Sequence, residues 1–195
     1  MPRQVDQEER RRRIAEAVCR LADEHGLEGV TLRDVAARAQ VSMGAVQRCF
    51  ATKEEMLAFT LADIGERIAA RARAGLLRSP AQSAASALGH TLTEVALLRP
   101  EHHSEARVWL AFLAQAAVSP PLAAILRSGY AALHEAVARL VHEAAPALDA
   151  PREAHALLAL TDGLTAHVLV GRLTPQEAED ALHAHLTGLW RQSRR

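Results

Sequence analysis

The sequence predicts an all-α protein, in which an N-terminal domain of three helices is followed by a domain of six. Of its 195 residues, 49% are hydrophobic and only 3% are aromatic, and alanine, leucine and arginine are abundant. These residue types favour helix, and apolar side chains recur at helical spacing through most of the chain. Lys and Arg together number 23, as do Asp and Glu, so the chain has no net charge. This length fits one compact domain or a small domain fused to a larger one.

The first three helices are marked by their caps. Apolar residues between Ile14 and Ala22 recur at helical spacing, and Gly26 is expected to end that helix. Thr31 is a typical cap for a second, short helix, with Asp34 as its reciprocal partner. Ser42 then caps a third short helix.

The later helices begin at capping or proline signals, and apolar stripes define their buried faces. We expect the fourth helix to extend to about Leu77. The eighth, from Glu153 to about Gly171, is apolar nearly all round and should be buried on more than one side. The predicted start signals are Thr52 with Glu55, Ser79-Pro80, Ser119-Pro120 and Thr174-Pro175-Gln176-Glu177, and a loop is expected from Pro146 to Pro151.

Two short helices that follow a longer one are typical of a helix-turn-helix, whose second helix lies in the DNA major groove. Gly44 would let the backbone approach another surface closely, such as a phosphate backbone. Gln47 can pair with adenine and Arg48 with guanine. Lys53, the only lysine, stands at a helix N-terminus, where the helix dipole disfavours a cation. A phosphate clamp explains it, and an exposed lysine with its stem on Phe50 is the alternative.

The segment from about Arg10 to Leu57 resembles the DNA-binding region of the TetR (tetracycline-repressor) family of bacterial regulators. The residues that carry the resemblance are Gly26, the Thr31-Leu32-Arg33-Asp34-Val35-Ala36 start, Val41-Ser42-x-Gly44 and Phe50-x-Thr52-Lys53-Glu54-x-x-Leu57. The family usually has tyrosine where Gln47 stands and histidine where Cys49 stands. The run Asp162-Gly163-Leu164-x-x-His167, with Gly171-Arg172-Leu173-Thr174-Pro175, is also similar to the C-terminal class of the choline-betaine pathway repressors.

The resemblance implies an all-helical homodimer that binds operator DNA through residues 1–52, and an effector cavity and dimer contact within residues 53–195. A small-molecule effector would control operator affinity. The resemblance and the motif together predict DNA contacts from Arg10, Arg11, Thr31, Ser42, Met43, Gly44, Gln47, Arg48 and Lys53. The predicted dimer contacts are Leu157, Leu164, Val168, Leu182, Leu186 and Leu189.

An effector cavity needs apolar walls and a few polar anchors. Candidates are Trp109, Phe112, Leu113, Tyr130, His134, Asp162 and His167, although helical spacing alone would make the first three ordinary core residues. Asp162 lies in an apolar helix and needs a partner, for which a ligand amine, His167 or Arg107 would serve. A hydrogen bond at the dimer interface or a water-facing position are the alternatives.

The net charge of the N-terminal region supports DNA binding less than the helix-turn-helix motif does. The residues from Met1 to Leu57 carry as many acids as bases, so DNA affinity must come from segregation of charge, and a solvated face also explains the run Arg10–Arg13. A helical ligand-binding or protein-interaction dimer whose DNA-binding end has decayed is therefore the competing hypothesis.

Other classes of function find little support. The chain has ten histidines, but His102-His103 and His183-x-His185 lack the spacing of three or four residues that lets two side chains of one helix share a metal. No hydrolase motif is complete, so we predict no enzyme, cofactor or metal. Cys19 and Cys49 form no disulfide framework. No apolar run is long enough for a membrane span or a signal peptide, which predicts a cytoplasmic protein.

Overall fold

The structure is a computed structural model that describes residues 2–77 and 83–192, with side chains for 7–77 and 83–191. All regular structure in these two segments is helical, which confirms the predicted fold class. The described helices are α1 (Pro2–His25), α2 (Leu32–Arg38), α3 (Met43–Cys49), α4 (Lys53–Leu77), α5 (Ala84–Val95), α6 (His103–Ala116), α7 (Pro120–Ala144), α8 (Ala150–Leu169) and α9 (Pro175–Gln192), with a 3-10 turn at Pro100–His102.

The chain folds into two compact units. The first comprises Met1–Glu66 and Arg107–Arg127, and the second comprises Arg67–Ala106 and Ser128–Arg195. Packing units and functional domains need not coincide, so the functional division between residues 52 and 53 stays a prediction.

In the first unit, α1 packs on both α2 and α3. The core between them is aliphatic, because Ile14, Val18, Val35 and Val46 are fully buried. Gly26 ends α1 with a backbone φ of +71°, in the left-handed region that glycine adopts without steric cost. The predicted end of the first helix is therefore confirmed.

In the second unit, α5, α8 and α9 pack against one another. Their leucines form one hydrophobic core together with residues of α7. The Thr165 hydroxyl, which is buried, donates a hydrogen bond of 2.6 Å to the Ala96 carbonyl oxygen and so ties α8 to the end of α5. α9 begins at a reciprocal capping box, in which the Glu177 N–H donates to Thr174 Oγ1 at 3.2 Å and the Thr174 N–H donates to Glu177 Oε2 at 2.8 Å.

One helix start differs from its prediction, and a second predicted start cannot be compared with the structure. α8 begins at Ala150 rather than Glu153, because Asp149 caps it by accepting a hydrogen bond from the Arg152 N–H, and Pro151 belongs to its first turn. The start predicted at Ser79-Pro80 lies outside the described residues. α5 has Ser83 as its N-cap, with Oγ accepting from the Ser86 N–H at 3.2 Å.

The described residues leave one side of α8 exposed, so burial on a second side, as expected for this helix, would need a partner chain. Ala156, Ala159 and Gly163 are exposed on α8, whereas Leu157 and Leu164 are buried. No helix within residues 2–77 and 83–192 is long and apolar enough to cross a membrane.

Candidate nucleic-acid interface

The helix-turn-helix is built by two serine or threonine caps. Thr31 Oγ1 accepts from the Asp34 N–H at 3.2 Å and donates to Asp34 Oδ2 at 2.6 Å. The Asp34 carboxylate therefore accepts from the Thr31 hydroxyl, whereas in a reciprocal capping box it would accept from the Thr31 backbone N–H. Ser42 Oγ accepts from the Ala45 N–H at 3.2 Å, as predicted for the cap of α3. Gln40, in the turn between the helices, adopts a φ of +56°.

One face of α3 is buried against the protein, and the other face is exposed to solvent. Ala45, Val46 and Cys49 pack inward. Met43 is 40% exposed, and Gln47 and Arg48 are exposed as well. Neither Gln47 nor Arg48 makes a side-chain hydrogen bond or ion pair to any described residue, so both are free to bind a partner.

Gly44 lies on the same helix and does not serve internal packing. A Cβ atom built on it would meet only Arg48 Nη1, at 3.5 Å, which is an ordinary van der Waals contact. The chain therefore has room for alanine there, and alanine is the better helix former. The packing of the described chain does not require glycine at this position.

Lys53 is the first residue of α4 and is half-buried. Its ammonium has no ion-pair partner among the described residues. Half of the predicted capping box is formed, since the Glu55 N–H donates to Thr52 Oγ1 at 3.1 Å, whereas Glu55 Oε2 accepts from the N–H of Ala51, one residue before the cap, at 2.8 Å. Glu55 is thus engaged with the Ala51 N–H and with Arg11 rather than with the lysine.

The arginine run Arg10–Arg13 is occupied by contacts within the protein. The Arg11 guanidinium lies over the rings of Phe50 and Phe59, at 4.7 and 4.5 Å from their centroids, and Nη2 is 3.5 Å from Glu55 Oε1. Arg12 pairs with Glu8, Arg13 donates to the Ala39 carbonyl oxygen, and Arg10 also has a partner. The placement of Arg11 favours a structural role over the predicted DNA contact.

Two acid–arginine pairs in the first unit were not predicted from the sequence. Glu24 accepts two hydrogen bonds of 2.7 Å from Arg38, and this contact holds the pKa of the Glu24 carboxyl below its usual range. Arg107 donates to Asp23 at 2.5 and 3.1 Å, which raises the pKa of that guanidinium. Both pairs join residues far apart in the sequence, so no local spacing signals them.

The predicted effector residues fall into separate groups. Trp109, Phe112 and Leu113 lie on α6 in the first unit, where Phe112 is fully buried and the other two are half-buried. Tyr130, His134, Asp162 and His167 belong to the second unit.

Within the second unit the four polar candidates do not converge. Tyr130 Oη donates a short hydrogen bond of 2.5 Å to Asp162 Oδ2. Neither suggested protein partner of Asp162 fills that role, because Arg107 pairs with Asp23 and His167 Nε2 lies 3.3 Å from Arg172 Nη1. His134 contacts the start of α8 instead.

The six residues predicted for the dimer contact lie in the core of their own chain. They are at most 8% exposed in the single chain, so their part in a dimer contact stays a prediction. These residues are Leu157, Leu164, Val168, Leu182, Leu186 and Leu189.

A capped helix-turn-helix with a bare second helix, joined to an α-helical C-terminal domain, defines a helix-turn-helix transcriptional regulator. Residues 14–60 match the family "Bacterial regulatory proteins, tetR family", and residues 84–191 match "BetI-type transcriptional repressor, C-terminal". The chain belongs to the TetR family.

Individual relatives agree with this assignment. The chain is 31% identical over 175 residues to the HTH-type transcriptional regulator PksA of Bacillus subtilis, a match that covers 87% of this chain and 83% of PksA. A transcriptional regulator from Rhodococcus sp. Rha1 has 33% identity and a TM-score of 0.84, with 93% and 96% of the two chains covered. A transcriptional regulator from Saccharomonospora viridis, solved in complex with choline, has 24% identity and a TM-score of 0.82, with 92% and 96% covered.

Proposed function

We propose that this regulator is a homodimeric, cytoplasmic repressor that binds a palindromic operator and releases it when a small-molecule effector binds. The observation that carries the proposal is the bare face of α3, where Gln47 and Arg48 have no partner in the described chain. Two copies would place their α3 helices roughly 34 Å apart, so that each reads one major-groove half-site.

Each side chain on this face has a role that follows from its chemistry. Gln47 would pair with adenine and Arg48 with guanine, each pairing contributing about 1–3 kcal/mol of discrimination. Lys53, with the free N–H groups at the start of α4, would bind a phosphate without reading sequence. Thr31, Ser42, Met43 and Gly44 would bring the backbone against the DNA. Arg10 and Arg11 are left out of the interface, since Arg10 already has an interaction within the protein and the Arg11 guanidinium lies over two aromatic rings.

The dimer would use the faces of α8 and α9 that their own chain leaves uncovered. Ala156, Ala159 and Gly163 are exposed on α8, and Ala181 and Ala184 are exposed on α9. Small side chains let helices approach closely, and the same patch on both subunits can pair across a two-fold axis. The buried leucines predicted for this contact would support it from behind, as the core on which both helices rest.

The effector would bind at the Tyr130–Asp162 pair. A half-buried carboxylate joined to a phenol is a suitable anchor for a cation, because the carboxylate supplies charge and the ring supplies a negative face. A cationic effector would take the place of the Tyr130 hydroxyl on Asp162. The effector's differential affinity for the two states of the dimer limits how far it can weaken operator binding.

Selection of random and genomic DNA fragments on the purified protein, followed by salt titration of the best fragment, tests the proposal. We expect enrichment of a palindrome and a steep loss of affinity with salt. Lys53→Ala should lower affinity for every sequence and reduce the salt slope by about two for the dimer, which is about one per protomer. Arg20→Ala is the matched control: it removes one cation from an exposed position on α1, outside the proposed interface, and should leave the slope unchanged.

A negative result in the DNA selection would favour the competing hypothesis. If no fragment is enriched at low salt, the dimer is intact and mass spectrometry finds no copurified ligand, the regulator has lost operator binding and the helical ligand-binding dimer becomes the better description. Equal effects of Lys53→Ala and Arg20→Ala on the salt slope would remove Lys53 from the interface.

A further inference from the structure

Three polar atoms meet where α7 passes the first turn of α8. His134 Nε2 and His155 Nδ1 each lie 2.9 Å from the Pro151 carbonyl oxygen, and the two nitrogens are 3.1 Å apart. His155 is exposed and His134 is half-buried, so solvent reaches the group. The pair is brought together by tertiary packing, because the two histidines are 21 residues apart.

The two imidazole rings lean toward each other at their nitrogen edges. Their centroids are 4.0 Å apart, whereas the facing nitrogens are only 3.1 Å apart, with 41° between the ring planes. The two nitrogens therefore face one another and the Pro151 carbonyl oxygen, which lies 2.9 Å from each. Metal–nitrogen bonds of about 2.0–2.1 Å, at bond angles of about 90–109°, place two ligand nitrogens about 2.9–3.4 Å apart. The observed separation lies in that range.

We infer that His134 and His155 form a binding site for a divalent transition-metal ion of the nickel–copper–zinc group, with the Pro151 carbonyl oxygen as a third donor. Imidazole nitrogen suits these ions, whereas calcium and magnesium require oxygen ligands. Bound metal would join α7 to the start of α8. This site is independent of the proposed operator and effector sites.

The surroundings determine what kind of metal site this is. The described residues contain no group of three or more His, Cys, Asp or Glu side chains that could hold a metal, so water must complete the coordination. Glu135 and Glu143 border the open groove of about 510 Å³ beside His134, and their negative charge favours a cation, while Arg139 in the same groove opposes it. A two-histidine site of this kind binds more weakly than a closed four-ligand structural site.

The alternative is a purely hydrogen-bonded cluster, in which each neutral imidazole donates its proton to the Pro151 oxygen. The two arrangements differ in a measurable way, because only an unprotonated ring nitrogen can bind metal. The test uses the full chain without a histidine tag and compares it with His134→Gln, His155→Gln and the control His142→Gln. His142 is exposed on the same helix and borders the same groove, but it lies outside the pair.

Titration calorimetry with zinc should give one site per chain in the unmodified protein, weakened at least tenfold in either variant of the pair and changed less than twofold in the control. Electron paramagnetic resonance with one equivalent of copper(II) should show two coordinating nitrogens, and one after either substitution. Circular dichroism checks that each variant is folded, and glutamine retains an N–H for the Pro151 oxygen. Equal zinc affinity in all four proteins, or an unchanged nitrogen count in the pair variants, would overturn the proposal.

Discussion

The substitution Gly44→Ala should change protein stability and operator affinity in opposite directions. The added methyl group would meet only Arg48 Nη1, at 3.5 Å, so it causes no clash inside the protein. Alanine is about 1 kcal/mol better than glycine within a helix, and part of that gain should appear in the free energy of unfolding. For a chain of this length, 1 kcal/mol corresponds to an increase in Tm of about 2–4 °C.

Operator binding should change in the opposite direction. If the α3 backbone at Gly44 lies against a phosphate, the methyl group forces the two surfaces apart and weakens a charge-assisted hydrogen bond of about 1.5–3 kcal/mol. Operator affinity should then fall by about 10-fold to 100-fold. The affinity loss should be similar for operator and non-specific DNA, because phosphate contacts do not depend on sequence.

The assays are thermal unfolding by circular dichroism and fluorescence anisotropy with the selected operator. Gly65→Ala is the matched control, because this glycine lies within α4 and a Cβ atom there has no neighbour within 4 Å. It should raise Tm and leave DNA affinity unchanged. The reasoning is refuted if Gly44→Ala is more stable and binds operator as tightly as the unmodified protein.

Three further outcomes are expected. Arg48→Ala should reduce the preference for the selected operator by about 1–3 kcal/mol and leave non-specific affinity nearly unchanged, and an equal loss on every sequence in competition assays would contradict base reading. Arg38→Gln should lower Tm at neutral pH. Because the pKa of Glu24 is lowered in the folded state, this stabilisation is present above the ordinary glutamate range near pH 4.3 and is lost as the pH falls, so the Tm difference should shrink below that range. A Tm difference that is constant with pH would exclude the pair as its source. Tyr130→Phe removes the hydrogen bond from Tyr130 Oη to Asp162 Oδ2 and should destabilise the protein by about 1.5–3 kcal/mol in urea unfolding, and an unchanged unfolding midpoint would contradict a stabilising role for this bond.

Local signals predicted the helix starts well where the stabilising group lies within three residues of the cap. Ser42 and Thr174 act as predicted, because a cap hydroxyl and the N–H it accepts are fixed by the backbone of one turn. The start of α8 was missed because Asp149 was not considered as a cap, and proline in a first turn resembles a loop signal.

Side-chain partners between distant segments could not be predicted. Arg11 was predicted to contact DNA, but its guanidinium lies over two aromatic rings. Asp162 accepts a hydrogen bond from Tyr130, whereas a histidine or an arginine was suggested as its partner. Histidine spacing within one helix gives no sign of the pair formed by His134 and His155, because these two side chains meet across two helices. In each case the partner is chosen by helix packing, which sequence spacing does not report.

The sequence by itself determined the helical fold, the helix-turn-helix and the side chains that face outward from α3, because each depends on periodicity and capping within a few residues. It also determined the TetR family, through a motif confined to one short segment. Only the tertiary structure decided which arginines are already occupied, where Asp162 finds its donor, and that the leucines of α8 and α9 are enclosed by their own chain. These are properties of contacts between helices, and their energies depend on distances that the linear order of residues does not set.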